Sequence, residues 1–205
     1  LLSYRADMTA SGYEKGHEPS LAVDENVQTW WMADTAEAGS FLTMDLESCA
    51  MVHAVQINFA DDPSSRINCP GTLQKTPDME RYIDRNAGKT RWLLEGSADG
   101  ENWTVLADKR DAETDLSHDL VVSEEGWKLR FLKLTIEEVP YQVKPSISGL
   151  RVFGKAEGDC PAVPEYDVKR TGDLDMEVSV REDPHAAGFQ ILWGNEPDQL
   201  YHSCM

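Results

Sequence analysis

The residues best equipped for chemistry stand together in Ala22 to Trp31, AVDENVQTWW. Asp24, Glu25 and Asn26 supply carboxylate and amide oxygens, Thr29 a hydroxyl, and Trp30 and Trp31 two adjacent indoles. Oxygens at this density suit a hard cation such as Ca2+, which takes about six to eight of them. An aromatic face beside them suits a ligand with an apolar side. Asp, Asn and Glu this close together also compete for backbone hydrogen bonds, so the stretch reads as a loop. Two readings follow: a ligand-binding loop with an oxygen-lined cation site at its base, or a plain loop anchored by its tryptophans.

Catalytic signatures are scarce. Glycoside hydrolysis needs two carboxylates roughly 5 to 10 Å apart across the scissile bond. With 37 acidic residues in the chain, a pair at that spacing arises by chance and means little. Gly96 to Gly100, GSADG, matches the nucleophile elbow G-x-S-x-G loosely, and a hairpin turn explains it better. There is no G-x-G-x-x-G and no P-loop. Cys49, Cys69, Cys160 and Cys204 form no C-x-x-C pair. Cys49 and Cys69 flank a strand and are one option for a disulfide; isolated buried thiols are the expectation.

The 205 residues carry a formal net charge of -18, from 37 acidic against 19 basic side chains. Phosphate binding needs a basic face, so nucleic acid is excluded as a partner, and an anionic membrane surface with it. No apolar run approaches the roughly 20 residues that span a bilayer. The opening LLSYRADMTAS lacks a basic stretch followed by an apolar core, so it does not read as a signal peptide. The chain reads as a piece of something longer.

The elements that must position these residues are short strands. Leu1 to Ser11 reads as an opening strand. Ser40 to Leu46 alternates imperfectly, whereas in Val52 to Phe59 the residues Val55, Ile57 and Phe59 share one face. Strands return at Arg91–Gly96, Trp103–Ala107, Leu120–Val122, Arg130–Ile136 and Ile147–Phe153, with Asp99-Gly100 as a two-residue hairpin signal. Between them, Ala60 to Thr90 is far longer than an ordinary connection. It holds Arg66, Arg81 and Tyr82, and Asp78 to Asn86 reads as a short helix. About eight short strands with almost no helical periodicity indicate an all-β jelly-roll sandwich. Residues 156–164, rich in small residues and proline, read as a linker. Beyond it, 165–205 offers three strands, at Tyr166–Arg170, Asp175–Arg181 and Gly188–Trp193, too few for a core of their own.

Five ordered blocks carry a resemblance. Ala6 to Trp31, Phe41 to Phe59, Arg91 to Leu106, Leu129 to Ile136 (LRFLKLTI) and Ile147 to Gly154 (ISGLRVFG) look like the discoidin, or coagulation-factor type C, domain. The resemblance covers residues 1–155 and implies a galactose-binding-like jelly-roll β-sandwich. Bacterial versions are often family 32 carbohydrate-binding modules. The wording AVDENVQTWW, VQINFAD and ISGLRVFG resembles the version appended to family 43 glycoside hydrolases of Bacteroidetes type, xylosidases and arabinofuranosidases. The tail, Gly188 to Met205, is similar to the start of a fibronectin type III domain, so 165–205 would be a truncated β-sandwich of that kind.

The resemblance implies further expectations. The fragment is not an enzyme. It binds carbohydrate of plant polysaccharide through loops at one end of the sandwich, or else serves as a spacer packed on the catalytic domain of its parent chain. Its compartment is periplasmic or extracellular. A structural Ca2+ is held by Asp24, Asn26 and Thr29, although Gly149 stands where relatives often place a Glu ligand. Trp31 is the buried core tryptophan, and Trp30 the exposed ligand platform. Arg66, Arg81, Tyr82 and His17 join Trp30 as ligand-binding candidates.

Overall fold

A computed structural model describes residues 1–60, 72–76, 79–83, 88–156, 164–173, 175–181, 188–196 and 199–204. The chain forms two compact units, Leu1–Glu157 and Gly158–Met205.

The first unit is built on two long strands that the alternation pattern had divided in four. β3 runs unbroken over Ser40–Phe59, and β8 over His118–Glu138. Around them lie β1 (Asp7–Ala10), β2 (Trp31–Met32), β6 (Arg91–Ser97), β7 (Thr104–Asp108) and β9 (Ser146–Ala156). All pairings are antiparallel, in the order β2-β9-β3-β8-β6-β7, with β1 also on β3. The first half of β3 pairs with β1 and with the second half of β8. Its second half pairs with β9 and with the first half of β8. Each long strand therefore serves both layers of the sandwich. Inward residues of both layers, among them Leu42, Met44, Val55, Ile57, Leu132 and Leu150, are fully buried in one core.

A strand can cross between layers only by bending, and bulges supply the bend. The β3–β8 register shifts between Asp45 and Ala50 and again between Val52 and Ala54. At this corner Glu47 has φ 64° and Gly126 has φ 80°. Glycine suits the second site because a positive φ costs it nothing. Arg130 clamps the corner, with its Nε and one Nη each 2.7 Å from the Asp45 carboxylate.

The hairpin signal at Asp99-Gly100 marks a longer connection than two residues, since β6 ends at Ser97 and β7 begins at Thr104. Asp99 explains the length. Its carboxylate accepts hydrogen bonds from the backbone N–H groups of Glu101 (2.9 Å) and Asn102 (2.8 Å) and from the Asn102 side chain (2.7 Å). Within the 60–90 stretch, the helix expected at Asp78–Asn86 is replaced by a hairpin of β4 (Thr72–Thr76) and β5 (Met79–Ile83). A short isolated helix is marginal in water, and the two five-residue strands pair in register from Thr72–Ile83 to Thr76–Met79.

The second unit consists of two hairpins. β10 (Tyr166–Arg170) pairs with β11 (Met176–Val180), and β12 (Ile191–Gly194) with β13 (Leu200–Cys204), a strand the sequence pattern did not signal. The expected buried thiols are corrected where the cysteines are described: Cys49 is free and half-buried, Cys204 free and exposed. Cys69 and Cys160 lie outside the described residues.

The Asp45 carboxyl is held below the usual aspartate range, first by its hydrogen bond from Arg130 and then by the Glu47 N–H. A carboxyl depressed in the folded state stabilises fully above its unfolded value near 4, and that contribution is lost as pH falls through the lowered value. Asp45→Asn should therefore lower the melting temperature at pH 7, with the gap to the wild type closing as pH falls through the lowered value. A gap independent of pH in thermal melts would exclude an electrostatic clamp at the corner.

Candidate ligand-binding site

Several loops converge at the end of the sandwich opposite the corner. The Phe59 N–H donates to the Ser117 carbonyl, Ala60 to Ser146 and Ala33 to Pro145, each at 2.9 Å. Thr90 meets the 114–115 turn through a backbone bond to Thr114 and a side-chain bond to Asp115. Loop 11–18 joins them: the Glu14 N–H donates to the Met32 carbonyl, and the Met32 N–H to the carbonyl of His17. Lys144 pairs with Glu14 across the same end. These are the ends of β2, β3, β8 and β9, so the strands hold the connections in register.

Trp31 sits beneath this end. It is fully buried, pairs with Ile147 of β9, and its indole N–H donates to the Gly12 carbonyl at 3.1 Å. The expectation of a core tryptophan holds. Trp30 departs from its expected role as an exposed platform. It is half-buried, and the imidazole of His17 lies over it with ring centroids 5.0 Å apart and planes 33° apart. Its Nε1 is buried with no hydrogen-bond partner. The cause is local: the loop turns back so that His17 Nδ1 reaches the Trp30 carbonyl at 3.0 Å. A carbonyl only accepts, so Nδ1 carries the proton and the other ring nitrogen of a neutral His17 is an acceptor. His17 and Trp30 thus act as one assembly, a link their separation in sequence did not reveal.

The remaining candidates separate. Arg66 lies outside the described residues. Arg81 and Tyr82 lie on β5, in register with Gln74 and Leu73 of β4. Sequence reasoning missed Glu14 and Lys144, which nothing in the pattern links. It also missed two exposed aromatics of the loops, Tyr13 and Tyr141. Tyr141 has φ 64°, an outlier for a bulky side chain and of the kind that collects at ligand-contacting loops.

The loop Asp24–Thr29 closes on its own donors. One Asp24 oxygen accepts the Asn26 N–H at 2.9 Å and the other the Thr29 hydroxyl at 2.6 Å. The Asn26 side-chain oxygen accepts the Gln28 N–H at 3.0 Å, and the Asn26 carbonyl the Thr29 N–H at 3.1 Å. Glu25, with φ 62°, turns away to grip Arg151 of β9. At Gly149 a Cβ would lie 2.9 Å from Asn58 Nδ2, so an amide fills the space a ligating carboxylate would need. Among the described residues no group of three acidic, His or Cys side chains is arranged to hold a metal. Ca2+ takes about six to eight oxygens; this loop offers one carboxylate of Asp24, the Thr29 hydroxyl and the Asn26 carbonyl, already joined to one another by hydrogen bonds of 2.6 and 2.9 Å, a set too small to fit the ion.

No family model matches this chain, and no curated protein does. Solved structures do. Chitosan-binding module 2 of a chitosanase/glucanase from Paenibacillus sp. IK-5, in complex with chitotriose, is 18% identical with TM-score 0.58, covering 75% of this chain and 100% of that one. The CBM32-6 module of a GH89 protein from Clostridium perfringens is 16% identical with TM-score 0.53, covering 73% and 94%. The CBM32-4 module from the same organism, in complex with GlcNAc-α-1,4-galactose, is 14% identical with TM-score 0.54, covering 76% and 91%. At such identities the likeness shows a shared fold, the galactose-binding-like β-sandwich of family 32 modules.

The two adjacent indoles should respond differently to removal of the N–H. Trp31→Phe leaves the Gly12 carbonyl without its donor and opens space in the core, at a cost of about 2–3 kcal/mol. Trp30→Phe removes a donor that has no partner, so the change should be about 1 kcal/mol or less. Urea unfolding of both variants measures this, and equal losses would show that the Trp30 N–H is satisfied.

Proposed function

We propose that the first unit is a non-catalytic carbohydrate-binding module whose site is the loop cluster around His17 and Trp30. The observation that carries this reading is the buried, unpartnered indole N–H of Trp30 at the loop end of a sandwich shared with carbohydrate-binding modules. A buried donor without a partner costs free energy unless something meets it. The imidazole of His17 lies against it, and the loops of the same end carry the Glu14–Lys144 pair and the exposed rings of Tyr13 and Tyr141, the mixture of aromatic surface and hydrogen-bonding groups that suits sugar hydroxyls. As part of the same proposal, the unit is an accessory module of a family 43 glycoside hydrolase acting outside the cytoplasm on plant polysaccharide, and residues 165–205 begin a fibronectin type III-like domain. The reading rests there on resemblance in the sequence blocks.

A second reading, a spacer docked on the catalytic domain of the same chain, draws on a different face. On β8, Leu120 and Val122 are 57% and 62% exposed, opposite Gln56 and Ala54 of β3, with Phe153 of β9 beyond Ala54. This apolar row is remote from His17 and Trp30 along β3.

Calorimetric titration with xylo-, arabino- and galacto-oligosaccharides and with chitotriose decides between the two. Binding in the micromolar to millimolar range, about -8 to -4 kcal/mol, should weaken at least tenfold in His17→Ala and in Tyr141→Ala, while Val122→Ser leaves it unchanged. No heat with any of the four sugars would sink the binding reading.

A further inference from the structure

We infer that the loop Asp24–Thr29 is organised by an internal cation, the Arg151 guanidinium, and that neither its fold nor the stability of the unit depends on Ca2+. Arg151 reaches sideways from β9 and meets the Glu25 carboxylate with both arms of its fork, Nε to Oε1 at 3.0 Å and one Nη to Oε2. A paired fork of this kind is the strongest form of carboxylate recognition by a side chain. The Glu25 side chain is only 9% exposed and that of Arg151 32%, so the pair is largely withdrawn from water. Glu25 adopts a left-handed backbone to make the contact, a conformation that must be held in place by what it gains.

The neighbouring residues agree with this arrangement. Asp24, the other carboxylate, has both oxygens engaged inside the loop. Gly149, two residues before Arg151 on β9, contributes no carboxylate, and Asn58 Nδ2 faces the place one would take. The loop thus presents two acidic side chains, one satisfied by loop donors and one neutralised by a guanidinium. A divalent ion entering there would have to displace donors already in place. The function a metal would serve, tying this loop to the last strand, is performed by the Glu25–Arg151 pair across 126 residues of sequence.

The full chain tests this directly. Melting temperatures in millimolar CaCl2 and in excess EGTA should agree to within about 1 °C, and calorimetry with CaCl2 should show no saturable binding. Arg151→Met should melt several degrees lower in both buffers, because it strands the Glu25 carboxylate, and limited proteolysis should cut it earlier between residues 23 and 30. Arg151→Lys, which keeps the charge without the fork, should fall between. A wild type stabilised by Ca2+ by several degrees with saturable binding would overturn the proposal. So would an Arg151→Met chain that melts and is cut like the wild type.

Discussion

An indole buried without water must still place its N–H, and the placement of Trp31 sets the geometry on which the loop end depends. Its ring lies in the core while its nitrogen reaches the Gly12 carbonyl. Its backbone pairs with Ile147 of the last strand of the sandwich. One residue therefore joins the 11–18 loop, the Ala22–Trp31 stretch and β9. The adjacent steps follow from it: Met32 pairs with Ser146 and accepts the Glu14 N–H, and Ala33 donates to Pro145. Contacts between residues so distant in sequence are costly to form and belong late in folding. They form cooperatively, because each brings the others within reach.

Electrostatics follows a similar economy. With 19 basic against 37 acidic residues, positive charge is scarce. Much of it is committed to joining elements. Arg130 clamps the β3 corner through Asp45, Arg151 holds the Asp24–Thr29 loop through Glu25, and Lys144 meets Glu14 at the loop end. Arg91 ties β6 to Glu138 and to Glu113. Arg110 pairs with Asp108 beside it, lowering that carboxyl to about 2 chiefly through their side-chain hydrogen bond. Exposed pairs of the last sort contribute little to stability. The partly buried ones fix where loops sit, which decides function more than the sum of their energies. What remains unpaired is mainly acidic, so the surface suits neutral or cationic ligands and repels polyanions.

The sandwich was legible because its causes are local and periodic. Val55, Ile57 and their neighbours alternate, and turn residues punctuate them. That β3 and β8 are each continuous was not legible, because a bulge such as the one after Asp45 breaks the alternation and imitates a strand end. The Asp99 connection was misread in length because Asp-Gly also begins turns closed by the aspartate side chain. The stretch Asp24–Thr29 was legible as an oxygen-rich loop, yet the pairing of Glu25 with Arg151 was not. Only the fold brings Arg151 to Glu25, and only the fold shows that Gly149 faces Asn58. Trp31 was legible as a core residue, but the half-buried setting of Trp30 depends on His17, which arrives by a loop path no spacing rule encodes.

That dependence changes what the loop end can recognise. A bare tryptophan face would select for any ligand with an apolar side and discriminate poorly. His17 lies over Trp30 with the ring planes tilted by 33°, and its Nδ1 is committed to the Trp30 carbonyl. When the ring is neutral its remaining nitrogen is an acceptor held by a backbone bond and by ring contact rather than by a free rotamer. An acceptor held in that way rewards a hydroxyl in one position and penalises its absence or inversion, because the partner is left unpaired. Under the proposed binding role, selectivity among ligands of similar shape would fall to His17 and the loop that carries it, with Trp30 and Trp31 as its stiff support.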